Sequence, residues 1–218
     1  MIEKIKDIIN DHWGKIIIVI LIIIILLYYK TTIYDSYYSY LNSSIKLKDN
    51  IYISLTTIPE RLIDPWFYNN LQYLMNLNGN YKVILNIPYY YKKNNEKYII
   101  PDNIRELEKK NLIINRIKED YGPLTKLYGT LLNDDISDNS VILICDDDIV
   151  YNKDFIIIIY NKYKTDKNKL YAYCSNRIEG FKGFMVQKKI IKPILNFKRP
   201  DSCFRIDDNF IEWGVKKL

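Results

Sequence analysis

Residues 141–151 read VILICDDDIVY, and the reading of this stretch decides the fold. Its first five residues are apolar without a break, the pattern of a strand covered on both faces by helices. Such strands belong to α/β sheets, in which ligands gather outside the carboxyl ends of the strands. The aspartates that follow, Asp146, Asp147 and Asp148, stand at that end. Three consecutive carboxylates repel one another unless a cation neutralises them. Carboxylate oxygens are hard ligands suited to Mg²⁺ or Mn²⁺, and such an ion would in turn hold a diphosphate. The competing reading is a solvated acidic turn ahead of a helix whose N-terminus Asp154 favours.

Working outward, runs of strand length alternate with helical spacing. Strands are expected at residues 51–57, 81–87, 112–117, 170–174 and 184–187, besides 141–145. Helices are expected at 65–76, at 122–133 with Pro123 in the first turn, at 153–164 and at 208–217. YYYKKNNEKY, residues 89–98, reads as a polar loop. The alternation predicts an α/β sandwich with a mainly parallel sheet. No internal repeat and no Gly/Ser-rich linker divides residues 49–218.

Three further segments carry candidate chemistry. In Tyr121-Gly122-Pro123-Leu124-Thr125-Lys126 a helix opens whose free N–H groups attract anions, and Lys126 lies one turn inside it. The plainer reading is a proline-started helix with a surface lysine. In Ser54-Leu55-Thr56-Thr57-Ile58-Pro59-Glu60-Arg61, hydroxyls and a cation at a strand's end would suit a base and ribose, or a turn that stops the strand. In Cys203-Phe204-Arg205-Ile206-Asp207-Asp208, an aspartate is either the N-cap of the last helix or a general base for an acceptor hydroxyl. Residues 179–184, EGFKGF, suit a loop on which a sugar ring packs, or a turn between strands.

Composition narrows the chemistry. The chain has 218 residues, 48% hydrophobic and 27% charged, which excludes a disordered tail or a collagen-like fibre. The single histidine, His12, lies outside the expected globular part. Histidine-based nucleophile triads and zinc protease motifs are thereby excluded. Cys145, Cys174 and Cys203 are too dispersed for a disulfide framework. The net charge of +6 is spread along the chain without a basic cluster, so no nucleic-acid partner is expected.

Near the start, residues 16–29 read IIIVILIIIILLYY, fourteen residues without a charge. That run spans only about 21 Å, but residues 13–34 reach about 33 Å if Lys15 and Lys30 snorkel. No small-residue cleavage site follows, so an uncleaved signal anchor is expected. Lys4, Lys6 and Lys15 precede the run, which puts the N-terminus in the cytoplasm of a single-pass membrane protein. The expected division is a tail at 1–12, a transmembrane anchor at 13–34, a stem at 35–48 with a glycosylation sequon at Asn42, and a domain at 49–218.

TTIPER, YGPLTKLYGTLL, ILICDDDIVY, EGFKGFMV and CFRIDDNFIEWGV follow one another in that order between residues 51 and 215. Together they resemble glycosyltransferases of the GT-A fold, a group found in large DNA viruses, algae and bacteria. The resemblance covers almost all of residues 49–218 and implies a GT-A-like nucleotide-diphospho-sugar transferase sandwich. It implies that the aspartate triplet is a D-x-D signature, with Asp146 near the donor's ribose or sugar and Asp148 the principal Mn²⁺ or Mg²⁺ ligand, seconded by Asp146. It further implies that Thr57, Arg61 and Lys126 lie near the nucleotide and that Asp207 or Asp208 is the base. The implied activity is a metal-dependent transfer of sugar from a nucleotide-sugar to a glycan, protein or lipid at a membrane, which in a virus would be the host's. The alternatives are an inactive scaffold of the same group and a phosphatase. For the latter, Asp146-Asp147-Asp148-Ile149-Val150 fits the D-x-D-x-[TV] motif of the haloacid dehalogenase superfamily, where however it closes the first core strand.

Overall fold

The computed structural model describes residues 19–30, 47–173, 178, 182–204 and 207–218. The chain divides into two compact units, Met1–Ile45 and Lys46–Leu218. In the first, residues 19–30 are helical. Among the described residues no helix is long and apolar enough to cross a membrane. Twelve helical residues rise about 18 Å, against a hydrocarbon core of about 30 Å. The single-pass membrane location read from residues 13–34 is corrected on this finding. The stem sequon at Asn42 lies outside the described residues.

The second unit is an α/β structure on a six-stranded sheet. Its strands are β1 (Ile51–Leu55), β2 (Lys82–Pro88), β5 (Leu112–Ile117), β6 (Val141–Ile144), β7 (Tyr171–Ala172) and β8 (Phe184–Gln187). They lie in the order β5-β2-β1-β6-β8-β7. The pairs β5–β2, β2–β1 and β1–β6 are parallel, while β8 runs antiparallel to both neighbours. Ile51 lies opposite Val141 and Ser54 opposite Ile144, so β1 and β6 end level with each other. Every residue of β6, and all of β2 after Lys82, is buried; the unbroken apolar run of β6 requires this, and β2 buries Asn86 along with its apolar residues. From β1 the chain builds outward through β2 to β5, then returns to the other side of β1 for β6. The gap between the ends of β1 and β6 is therefore the topological switch point.

Helices α1 (Pro59–Leu62) and α2 (Pro65–Met75) both open on a proline, and Asp64 caps α2 by accepting from the Trp66 N–H at 2.8 Å. Next come α3 (Asp102–Glu106), α4 (Thr125–Leu131), α5 (Phe155–Tyr163), α6 (Lys188–Ile191) and α7 (Asp207–Val215). The polar loop expected at 89–98 is instead a small hairpin, β3 (Tyr90–Tyr91) with β4 (Glu96–Lys97). Asn95, at φ 55°, supplies its left-handed turn residue.

Helix α4 is buried along its whole length. Leu127 and Leu131 from α4 share a core with Ile142 and Ile144 of β6, Phe184 of β8 and Ile211 of α7. Each such side chain contributes about 1.5–3 kcal/mol on burial. A polar cluster registers the helix on the sheet. The Asn86 amide donates to Ser54 Oγ at 2.9 Å, Ser54 Oγ lies 2.5 Å from Thr130 Oγ1, and Asn115 donates to the Gly129 carbonyl at 2.9 Å. A Cβ on Gly129 would sit 2.7 Å from Asn86 Cγ, so glycine is what lets α4 approach this closely. Net hydrogen bonds are worth about 1 kcal/mol each, so the apolar core holds α4 while the polar cluster sets its register.

Candidate active site

A cavity of about 740 Å³ opens at the carboxyl ends of β1 and β6. Thr57 and Arg61 reach it from the loop after β1 and from α1; Asp146, Asp147 and Asp148 reach it from the loop after β6. Lys126 comes from α4 and Asp207 from the first turn of α7. Residues from four segments, 57–61, 126, 146–148 and 207, thus converge on one cleft. Asp208 is half-buried and does not line it. Ser54 is fully buried in the polar cluster under α4 and is spent there.

The aspartates are held in two ion-pair groups. Asp147 accepts from Thr57 Oγ1 at 2.6 Å and from Arg61 NH1 at 2.8 Å. The other arm of Arg61 lies 3.1 Å from Asp148. Arg61 and Asp148 are both nearly half exposed, at 44% and 47% of their side chains. Burial pushes the Asp147 carboxyl above the usual carboxylate range, against the pull of Thr57 and Arg61. Asn70, on α2, fixes the main chain by donating to the carbonyls of Asp147 and Ile149 at 2.9 and 3.1 Å.

The second group is centred on a buried ammonium. Lys126 Nζ lies 2.5 Å from Asp146 Oδ1 and 2.7 Å from Asp207 Oδ2, with only 5% of the lysine side chain exposed. Burial alone would lower this ammonium's pKa; Asp207 and Asp146 outweigh that and hold it above the usual lysine range. The helix-borne lysine is thus an internal tie between the aspartate loop and α7, where a surface lysine was the plainer expectation. The Asp146 N–H donates to the Tyr151 hydroxyl at 3.0 Å, and the Tyr151 ring stacks on Phe155.

Asp120, Tyr98 and Arg199 escaped the sequence reading, which quoted Gly122 and Phe204 without the contacts they make here. Asp120 is buried and accepts from the Gly122 N–H at 2.7 Å and from the Lys92 N–H at 2.8 Å. An aspartate two residues before a glycine is the readable sign of such a turn. Gly122 takes φ +62°, and a Cβ there would lie 2.7 Å from the Phe204 carbonyl oxygen. Tyr98, past the hairpin, donates to the Thr57 carbonyl at 3.0 Å. The Phe204 ring carries Lys92 on it at 4.9 Å and Arg199 at 5.0 Å. Arg199 also donates to the Tyr121 carbonyl at 2.6 Å.

Among the described residues no group of three or more His, Cys, Asp or Glu side chains could by itself hold a metal ion. The donors are nonetheless of the right kind for Mg²⁺, which is commonly bound by one or two carboxylates with substrate phosphates and water completing its shell. Asp148, half exposed at the cavity, meets that description. Asp146 also lines the cavity, with one carboxylate oxygen on Lys126.

No family model matches the chain, and no curated protein does. Among solved structures it is similar to the 2-C-methyl-D-erythritol 4-phosphate cytidylyltransferase (IspD) of Francisella tularensis. The TM-score is 0.40 and the identity 12%, over 78% of this chain and 81% of that one.

Proposed function

We propose that this chain is a transferase acting on a nucleotide-linked substrate, and more finely a glycosyltransferase that moves a sugar from a nucleotide-sugar. The observation that carries this reading is the cleft at the switch point between β1 and β6, lined by paired aspartates and by cations. At about 740 Å³ the cleft has the size of a small-molecule site. Four of the five sequence blocks that resemble GT-A glycosyltransferases supply residues that line it.

In this reading Arg61 draws the diphosphate toward the switch point, and Thr57 and Asn70 keep the Asp147 loop from moving as it binds. Lys126 holds Asp146 and Asp207 at a fixed spacing, so the donor's sugar end meets a wall that is already formed. Asp207 accepts the proton of the acceptor hydroxyl, because it lines the cavity and Asp208 does not. A divalent ion on Asp148 and Asp146 would, when bound, neutralise charge developing on the leaving diphosphate.

The test is a thermal-shift and product assay of the full chain against nucleotide-sugars with Mg²⁺ or Mn²⁺. Stabilisation by at least one nucleotide-sugar is expected, growing with ligand concentration. Asp148→Asn should abolish its metal-dependent part. Asp207→Asn should keep binding and lower turnover by about 10²–10⁴-fold, while Asp208→Asn leaves turnover unchanged. A chain that neither binds nor turns over any nucleotide-sugar would overturn the reading.

A further inference from the structure

The charges around the cleft are distributed unevenly. Arg61 and Lys126 are each engaged by two aspartates. Lys92 and Lys93, on the turn of the β3–β4 hairpin, also line the cavity. Among the described residues neither ammonium has a carboxylate partner; that of Lys92 rests on the face of Phe204. The cavity lining therefore combines two cations already held by carboxylates with a hairpin whose two ammonium groups are not paired with one.

The hairpin is tied in place at several points. The Lys92 N–H donates to the buried Asp120, whose other oxygen holds the Gly122 turn. The Tyr98 N–H donates to the Tyr89 carbonyl at 3.1 Å, and its hydroxyl reaches the loop after β1. A buried carboxylate used to fix the main chain beneath a lysine pair is a costly device for a solvated turn, since desolvating it is unfavourable. It makes physical sense where the position of the lysines over the cavity matters.

We infer that Lys92 and Lys93 form a phosphate-binding subsite, a basic hairpin tip that grips a phosphate group of the ligand in the cleft. The phosphate belongs either to the donor's diphosphate or to a phosphorylated acceptor. The inference deepens the nucleotide reading and rests on it for the donor source only. Ammonium groups on flexible stems bind phosphate as point charges. Their exposure makes the attraction sensitive to salt. Phe204, holding Lys92 over the cavity, positions one of the pair.

Calorimetry with the full chain tests this, using nucleoside diphosphates, the matching nucleosides, inorganic pyrophosphate and sugar 1-phosphates as probes. The variants are Lys92→Gln, Lys93→Gln and the double change; all are exposed, and unchanged thermal stability shows that they fold. The expected result is a loss of affinity of about tenfold or more for a phosphate-bearing probe in the double variant, with a smaller dependence on salt, and no change for nucleosides. Loss confined to nucleoside diphosphates identifies the donor as the source; loss confined to sugar phosphates identifies the acceptor. Lysine-dependent binding of pyrophosphate or sugar phosphate without any nucleotide binding would overturn the nucleotide reading and leave the subsite standing. Nucleoside diphosphate and sugar phosphate affinities equal in wild type and double variant would overturn the subsite alone. A chain that binds none of the probes would overturn both.

Discussion

Among the described residues of this domain two lysines are buried, at opposite ends of β6, and they are satisfied in opposite ways. Lys126, at the carboxyl end, sits between the carboxylates of Asp146 and Asp207. Lys188, beside the amino end and 1% exposed, donates instead to the carbonyl oxygens of Asn133 and Ile136, at 2.7 and 2.8 Å. The nearest carboxylate of Lys188 is Asp138 at 3.8 Å, itself half exposed and paired with Lys192. Neutral carbonyls are all that is needed to close a loop, and Lys188 does that for residues 133–136. Opposed charges are gathered at the end where the cavity opens, and there they set the spacing of aspartates around it. The difference separates a lysine that serves the fold from one that also serves the site.

Substituting the two lysines by an apolar residue of similar length should break the comparison most clearly. Lys126→Met leaves Asp146 and Asp207 facing each other without their cation, Asp207 being 11% exposed. Removing one partner of a buried pair typically costs about 3–5 kcal/mol. Chemical denaturation should show a loss of that size, together with loss of ligand binding at the cleft. A loss below about 1 kcal/mol would mean that Lys126 is not the tie described here.

Lys188→Met should cost less, about 1–3 kcal/mol, the desolvation of carbonyls left without donors. Ligand affinity should stay as it is, because nothing at the amino end of β6 touches the cavity. A change in affinity in this variant would erase the distinction between the two ends.

Arg61 sharpens the comparison from the other side. It also bridges two aspartates, but 44% of its side chain is exposed. Surface ion pairs are worth about 0–1 kcal/mol, so Arg61→Gln should move stability by no more than that. Its effect belongs to binding, where a loss of about tenfold in nucleotide-sugar affinity is expected in titration calorimetry. Stability and binding should therefore separate at Arg61 and fall together at Lys126.

How far the sequence foretold these differences depends on what each residue needs to be recognised. The sheet was legible because its signal is local: mainly apolar runs of strand length gave β2, β5, β6 and β8 to within a residue or two. The carboxylate triplet was legible because it directly follows such a run. Lys126 was singled out as a site residue, but its burial was not, since that depends on Asp207, 81 positions further along. Lys188 and Lys189 are adjacent and identical in type; one is buried and one is not, and only the docking of residues 133–136 decides between them. The hairpin 90–97 was read as a loop because its strands are two residues long and carry no alternating apolar pattern, although Asn94-Asn95 is a turn signal. The apolar run near the start shows the reverse failure: composition pointed to a membrane, and the described helix is too short to cross one.

The smallest expected effect is one of slope, and it distinguishes the lysines by sign. The carboxylates raise the Lys126 pKa above its unfolded value, whereas burial lowers that of Lys188, with Asp138 opposing the shift and Lys192 adding to it. A lysine with a raised pKa keeps its full stabilisation below the unfolded value, about 10.4, and loses it only as pH climbs from there through the folded value. A lysine with a lowered pKa behaves otherwise. Between its folded pKa and about 10.4 the unfolded chain holds more protons than the native one, so its contribution to stability rises with pH. Referring each methionine variant to wild type cancels the titration of the many tyrosines shared by all three proteins. From neutral pH up to about 10, the deficit of Lys126→Met should therefore stay constant, while that of Lys188→Met should widen. Urea denaturation at a series of pH values measures both. Parallel deficits would show that the two buried ammonium groups feel the same environment, and the contrast between a carboxylate-held and a carbonyl-held lysine would fail.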